Sequence, residues 1–472
     1  MRGPAVGVVG GGRASRSLLV RSLAFVFLAT FLWLQVHVIN LTSRDWSSQP
    51  VVNESLYALV PQELHRFLKE RRGNGTGLGA QANGTSSQQE LSERDIAEIR
   101  RQIERANAEQ RVHNEEAFGP LASDAPVIVV QVHDRLTYLR HLIISLAQAR
   151  GIEQVLLVFS HDVWNADINY LVQNVDFCRV MQIFYPYSIQ THPRSFPGES
   201  ANDCPRNIRK EQALSLGCTN AQHPDLYGHY REAKFTQTKH HWWWKANRVF
   251  DQLSATRNHT GMVLFLEEDH YVAEDFLHVL RLMERTCRHS CERCNVLSLG
   301  TYLKTYNYYA DFSKKAEVIP WISSKHNMGM AFNRATWSKI RKCAAQFCSY
   351  DDYNWDWSLQ HIAQSCLSPS RGAGILPRLD SGLITMMMRA PRVFHIGECG
   401  VHHKKANCES TTVIAKVQNV LRSARSSLYP SQLSLTVASV SKKTKLRKGN
   451  GGWGDVRDHE LCLNMTIASG AA

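Results

Sequence analysis

The stretch APVIVVQVHDR, residues 125–135, runs Val127, Ile128, Val129, Val130 and Val132 into His133, Asp134 and Arg135. Stiff β-branched side chains favour a pleated strand. Apolar residues at successive positions, rather than alternate ones, mean that both faces of the strand are buried, as in a sheet covered by helices on each side. LTYLRHLIISLAQARG (136–151) follows with helical periodicity and ends at Gly151. EQVLLVFSHD (153–162), a polar helical stretch and VMQIFYPYS (180–188) then repeat the alternation. Strand, helix, strand, helix, strand at this spacing predicts an α/β domain with a mostly parallel central sheet. Ligands of such sheets bind beyond the C-terminal strand ends. Here those ends carry Gln131, Val132, His133, Asp134 and Arg135, then Ser160, His161 and Asp162, where a nucleotide would sit. Neither G-x-G-x-x-G after the first strand nor G-x-x-x-x-G-K-[ST] anywhere is present, which excludes the usual dinucleotide and P-loop fingerprints.

A second apolar strand, in GMVLFLEEDHYVAEDF (261–276), runs straight into Glu267, Glu268 and Asp269. Three adjacent carboxylates at a strand end repel one another, and desolvation worsens it. A hard divalent cation bridging to a diphosphate relieves that repulsion. The structural alternative is that the acids cap a helix beginning at Ala273, with Asp269 solvated in the loop.

The rest of the 472-residue chain gives context. A hydrophobic content of 43% suits a globular protein with a sizeable core. The formal charge of +13 is dispersed, its densest run SKKTKLRK (441–448) having no nucleic-acid motif beside it, so no nucleic-acid partner is expected. Residues 22–39 contain no Asp, Glu, Lys or Arg and are just long enough to cross a bilayer core. Arg2, Arg13, Arg16 and Arg21 precede them, so residues 1–21 read as a cytoplasmic tail and 22–39 as an uncleaved signal anchor. No small-residue cleavage site follows. Six N-x-[ST] sequons occur, at Asn40, Asn53, Asn74, Asn83, Asn258 and Asn464, four of them just after the anchor, which suits an exposed lumenal stem over residues 40–122. Within it, residues 86–116 lack Gly and Pro, and Ile96, Ile99 and Ile103 form a narrow apolar stripe at helical spacing, giving a helical or coiled stalk. Residues 123–472 form the compact domain. All twelve cysteines lie between Cys178 and Cys462; in an oxidising compartment they pair, and Cys291-x-x-Cys294, lacking a second such motif, reads as a disulfide rather than half a zinc knuckle.

Several motifs occur in one order: QVHDR, FSHD, YGHYREAKFTQTKHHWWWK, FLEEDHY, LSLGTY, HNMG, YDDYNWDW, FHIGECGVHHKK and NGGWGDVRDHELC. From about residue 125 to 462 the chain resembles the N-acetylglucosaminyltransferase II family, Golgi enzymes that add N-acetylglucosamine in β1,2 linkage to the α1,6-arm mannose of N-glycans. The resemblance implies a glycosyltransferase-A (Rossmann-like) fold, a UDP-N-acetylglucosamine donor, Mn²⁺, and a single-pass type II Golgi membrane protein with a lumenal catalytic domain. Placed on these residues, it makes Asp269 and His395 the metal ligands and Asp356 the catalytic base. The donor falls to Gln131, Val132, His133, Asp134, Arg135 and Asp162 and to Gln237, Thr238, Lys239, His240 and His241. Arg206, Asp225, Asn327, Tyr353 and Trp355 fall on the acceptor side. It pairs Cys204 with Cys218, Cys291 with Cys294, Cys343 with Cys366, Cys348 with Cys462 and Cys399 with Cys408, leaving Cys178 and Cys287 free. Two stretches depart from the family text: residues 368–394, before His395, are longer, and the segment from Cys399 to Cys408 has one residue more.

These roles form a consistent reaction. A metal on the diphosphate stabilises the leaving UDP, and one carboxylate takes the proton of the attacking hydroxyl. A single displacement inverts the anomeric centre. Read without the resemblance, each residue also has a structural role open to it. Trp242, Trp243 and Trp244 are expected mostly in the core; Asp356 between two tryptophans is equally a buried structural acid, and His395 a core histidine. His402, His403, Lys404 and Lys405 either bind phosphate or face solvent. A sister transferase for another glycan arm and a lumenal lectin-like homologue without turnover are the rival functions. Whether the chain forms a homodimer is not written in the sequence.

Overall fold

The computed structural model describes residues 60–69, 91–302, 306–368, 382–397, 410–437 and 448–467. The expected tail and anchor, four of the six sequons and the Cys399–Cys408 pair lie outside the described residues. No helix among the described residues is long and apolar enough to cross a membrane.

The strands are β1 (Val112–His113), β2 (Val127–Val132), β3 (Leu156–His161), β4 (Arg179–Phe184), β5 (Val263–Glu267), β6 (His270–Val272), β7 (Val296–Ser298), β8 (Lys315–Pro320), β9 (Met330–Phe332), β10 (Ile384–Met388), β11 (Val393–His395) and β12 (Ser434–Val437). Ten of them make one sheet in the order β1-β4-β3-β2-β5-β9-β7-β10-β8-β12, and β11 pairs with β6 in a separate ribbon. The block β4-β3-β2-β5 is wholly parallel. Beyond it, β9 runs antiparallel to both β5 and β7, while β7–β10 and β8–β12 are parallel. The sheet is thus mixed and mostly parallel, with its direction broken at β9.

Successive residues of β2 feed opposite faces, as strand geometry requires. Ile128, Val130 and Val132 join one core with Leu139, Leu142 and Phe276, from the helices Leu136–Ala147 and Phe276–Ser290. Val127 and Val129 join the other with Trp242, Trp337, Leu359 and Cys462, from four helices on the opposite face. This is why the strand is apolar at every position. The helix Glu93–Glu109 opens with a Ser92/Asp95 capping box and buries Ile96 and Ile103. It lies against β4 instead of standing free as a stalk: the Asn107 amide both donates to Phe184 O and accepts from Phe184 N.

Four of the expected disulfides form, Cys204–Cys218, Cys291–Cys294, Cys343–Cys366 and Cys348–Cys462, and Cys178 and Cys287 are free and buried. Cys348–Cys462 closes a separation of 114 residues. By chain entropy such a loop contributes on the order of 4–5 kcal/mol.

Candidate functional site

The acids at the end of β5 are not solvated helix caps. The next helix starts at Phe276, and Asp269 and Glu268 are only 3% and 1% exposed. Pairing of β11 with β6 sets His395 opposite His270, and Ile396 N donates to Asp269 O. His395 Nε2 thereby stands 3.2 Å from Asp269 Oδ2. A Cβ on Gly397 would meet that same oxygen at 2.3 Å, so the absence of a side chain there is what admits the carboxylate. Residues 369–381 of the longer stretch before His395 lie outside the described residues. Burial by itself would raise Asp269, but the hydrogen bond and charge of His395, with Arg135, hold its carboxyl well below the usual range. Asp269 Oδ1 is buried with no hydrogen-bond partner. Ligand atoms of Glu267, Asp269 and His270 all lie within 4.8 Å of one another. Burial drives the His270 imidazole down to about 3, so it is neutral. Carboxylate oxygens beside neutral imidazole fit a divalent cation.

Beside this cluster run the expected donor residues. His133 N donates to Glu268 Oε2, and Arg135 spans Glu268 Oε1 and Asp269 Oδ2, each at 2.7 Å. Burial lifts Glu268 to about 7, with Arg135 opposing it. His133 Nδ1 is 2.7 Å from Asp162 Oδ1; burial alone would lower the imidazole, but Asp162 together with the charges of Asp134 and Glu268 raises it to about 9. Gln237 Nε2 donates to Asp162 Oδ2 while its Oε1 accepts from Ile189 N. His241 Nε2 meets Ser160 Oγ at 2.8 Å. Val132 is buried, its carbonyl accepting from Asp162 N; Asp134 is exposed and Thr238 half-buried. The ends of β2, β3 and β5 thus converge as parallel pairing demands.

Asp356 opens the helix Trp355–Gln364. Its Oδ2 accepts from Asn327 Nδ2 at 3.1 Å and its Oδ1 from Trp357 N at 2.9 Å. Burial first, then the charges of Asp352 and Glu267, raise it to about 7, the range suited to proton transfer. Trp355 is 6% exposed and stacks flat on Trp242, ring centroids 4.4 Å apart. That stack adds about 0.5–1.5 kcal/mol to the burial itself.

The sequence profile of N-acetylglucosaminyltransferase II matches residues 100–462. The chain belongs to that family. Alpha-1,6-mannosyl-glycoprotein 2-beta-N-acetylglucosaminyltransferase of Mus musculus is 47% identical over 360 residues, covering 75% of this chain and 77% of the relative. The Homo sapiens protein of that name is 45% identical with 75% and 76% covered, and the Arabidopsis thaliana one 32% identical with 75% and 77% covered. Among solved structures, S. aureus TarS 1-349 is similar at a TM-score of 0.28 and 9% identity, covering 63% of this chain and 65% of that one, too distant to carry an argument. Membership of the N-acetylglucosaminyltransferase II family makes the protein a glycosyltransferase with a nucleotide-sugar donor and an N-glycan acceptor.

Some residues that the family resemblance assigns to substrates are engaged within the protein. Lys239 Nζ donates to the carbonyls of Tyr350 (3.0 Å) and Asp352 (3.1 Å) and lies over the Trp453 ring; His240 Nε2 is 2.9 Å from Asp458 Oδ1. Both side chains are fully buried and turned to the YDDYNWDW loop and the C-terminal helix rather than to the donor edge. Asp225 accepts from Tyr227 N, His229 N and Gly452 N, closing its own loop onto the C-terminal segment. Arg206 is half exposed, its Nε donating to Glu232 Oε2 at 2.8 Å; Tyr353 packs on Phe235. Trp242, Trp243 and Trp244 are core residues, as expected. Sequence reasoning missed His270 as a metal neighbour, Lys245, and Asp458, which is buried between Arg231 and His240. The signals were present: His270 follows the acidic run directly, Lys245 ends HHWWWK, and Asp458 lies in GDVRDHE.

Proposed function

We propose that this protein is an inverting transferase that moves N-acetylglucosamine from UDP-N-acetylglucosamine to the 2-hydroxyl of the α1,6-arm mannose of N-glycans, in β1,2 linkage, converting hybrid to complex glycans. The observation that carries this reading is Asp356, held by Asn327 with its pKa raised to about 7, in the same site as the Asp269–His395 pair. Asp356 takes the hydroxyl proton as the mannose oxygen attacks the anomeric carbon; the bond from that carbon to the phosphate oxygen breaks on the opposite face, and UDP leaves with the electron pair. Asp269 and His395 would hold Mn²⁺, which when bound would supply positive charge to stabilise the departing diphosphate. The ends of β2 and β3, with Gln237 and His241, orient the donor; Arg206, Asp225, Asn327, Tyr353 and Trp355 form the acceptor wall. The fold is of the glycosyltransferase-A type, and the protein is a single-pass type II protein of the Golgi membrane with its catalytic domain lumenal.

The test uses the lumenal part of the chain made in a secretory host, with UDP-N-acetylglucosamine, Mn²⁺ and a hybrid N-glycan bearing N-acetylglucosamine on its α1,3 arm. β1,2 addition to the α1,6-arm mannose, abolished by chelation and by Asp356→Asn, is the expected product. Addition at another mannose turns the reading to a sister transferase, and glycan binding without transfer turns it to a lectin.

A further inference from the structure

Beneath the donor edge lies a row of polar side chains that ends on a lysine no step above uses. In the sheet register Gln131 of β2 is flanked by Ser160 of β3 and Glu267 of β5. All three project from the face occupied one pleat earlier by Val129, Val158 and Phe265, the face covered by the helix Ala233–Asn247. That helix meets the row with His241 and Lys245, four residues apart and so on one side of it. His241 takes Ser160, and Lys245 Nζ donates to Gln131 Oε1. Lys245 is 1% exposed, and its Nζ hydrogen-bonds the one neutral amide. A buried ammonium is costly unless anions answer it. The carboxylates that do so are Glu267 and Asp162, both at the donor edge. Burial pulls the ammonium down to about 7 against those carboxylates, so in mildly acid solution the helix brings one positive charge up from the core to just below the acids.

We infer that Lys245 is a positioning residue for the nucleotide-sugar diphosphate: it fixes the Gln131 amide from below and supplies the buried positive charge that favours the anionic donor over the bare cation. This inference rests on the proposed placement of the donor. Electrostatics gives it a signature that a structural role lacks. Removing a cation from beneath the site strengthens binding of Mn²⁺ alone and weakens binding of UDP in saturating Mn²⁺, two effects of opposite sign.

The experiment replaces Lys245 by Met, similar in length and uncharged, in the full lumenal chain. Mn²⁺ affinity without nucleotide is measured by spin resonance, and UDP affinity with Mn²⁺ by calorimetry, both at mildly acid pH. The expected result is Mn²⁺ bound several-fold more tightly and UDP about tenfold more weakly, with a melting temperature unchanged or raised, since an apolar residue of like volume is tolerated in a buried ionic slot. Lys245→Gln keeps a donor to Gln131 without the charge and is expected to share the Mn²⁺ effect; it is the variant to read should Lys245→Met fail to fold. Equal affinities in wild type and variants, or both affinities falling together with the melting temperature, overturn the inference. A wild-type protein that binds neither Mn²⁺ nor UDP overturns the donor placement itself, a distinct outcome.

Discussion

The proposed donor edge and the proposed acceptor wall are built by different means. At the donor edge, parallel backbone ladders do the positioning: Gln131, Ser160 and Glu267 are register partners, and β11 delivers His395 by pairing with β6. The acceptor wall contains no strand. It is assembled from the 204–230 segment with its short helix Lys210–Leu216, Asn327 at the end of the helix Ser323–His326, the YDDYNWDW segment and residues 449–458. Disulfides bind it together, as do Asp351, which accepts from Leu226 N and Trp453 N, and Asp352, which accepts from Asn450 N. Arg231 is clamped by Asp458, whose carboxyl is held down at about 2 by His240 and Arg231 despite burial. The two regions also treat their carboxylates oppositely. Asp269 is held well below its ordinary range, while burial and like charges lift Asp356 to about 7. That division suits the roles proposed for them: a metal ligand has to stay ionised, and a base has to exchange its proton near working pH.

The largest expected break is Asp356→Asn. It should lower turnover by about 10²–10⁴-fold while UDP binding in Mn²⁺ is retained; loss of UDP binding as well would mean that the two regions are not separable. Because the folded pKa of Asp356 is raised, its protonated form is the one folding favours. Its contribution to stability is complete below the ordinary carboxylate range and lost as pH rises through about 7. Asp356→Asn should therefore raise the melting temperature in mildly alkaline buffer and leave it unchanged in acid, by differential scanning calorimetry.

Next in size is the loss of Cys348–Cys462. Replacing both cysteines by alanine should cost about 2–5 kcal/mol in denaturant unfolding, and the folded remainder should show a raised KM for the glycan with the donor KM unchanged. Lys239→Met is expected to act more gently, raising acceptor KM by about tenfold, because the carbonyls of Tyr350 and Asp352 lose their common donor. An equal change in UDP affinity would place Lys239 with the donor after all. The smallest effect concerns shape: kcat/KM should climb with pH and level off above about 7, as Asp356 gives up its proton. A profile already flat from pH 5 upward would remove Asp356 from the role of base.

Much of the donor edge was legible in the sequence because it is local. Five β-branched residues followed by polar ones mark a buried strand and its open end, and the run Glu267, Glu268 and Asp269 marks a cation. The family motif supplied His395, and β11 placed it. The QTKHH helix was harder. The resemblance assigned its five residues to the donor together, yet consecutive positions on a helix face different ways: Gln237 and His241 meet Asp162 and Ser160, while Lys239 and His240 hold the acceptor wall. The stalk was read as helix from composition, but its seat on β4 depends on Asn107 reaching the Phe184 backbone.

By itself, then, the sequence determined the alternating α/β layout, the acidic strand end, the cysteines available for pairing and the family to which the chain belongs. These follow from periodicity, from charge spacing and from order along the chain. Only the tertiary structure decided which carboxylate is driven down and which is raised, which face of each helix serves substrate, and that a buried lysine stands beneath the donor edge. Burial and the distance between charges set those properties, and both arise between residues as much as 254 positions apart, where no local pattern in the chain records them.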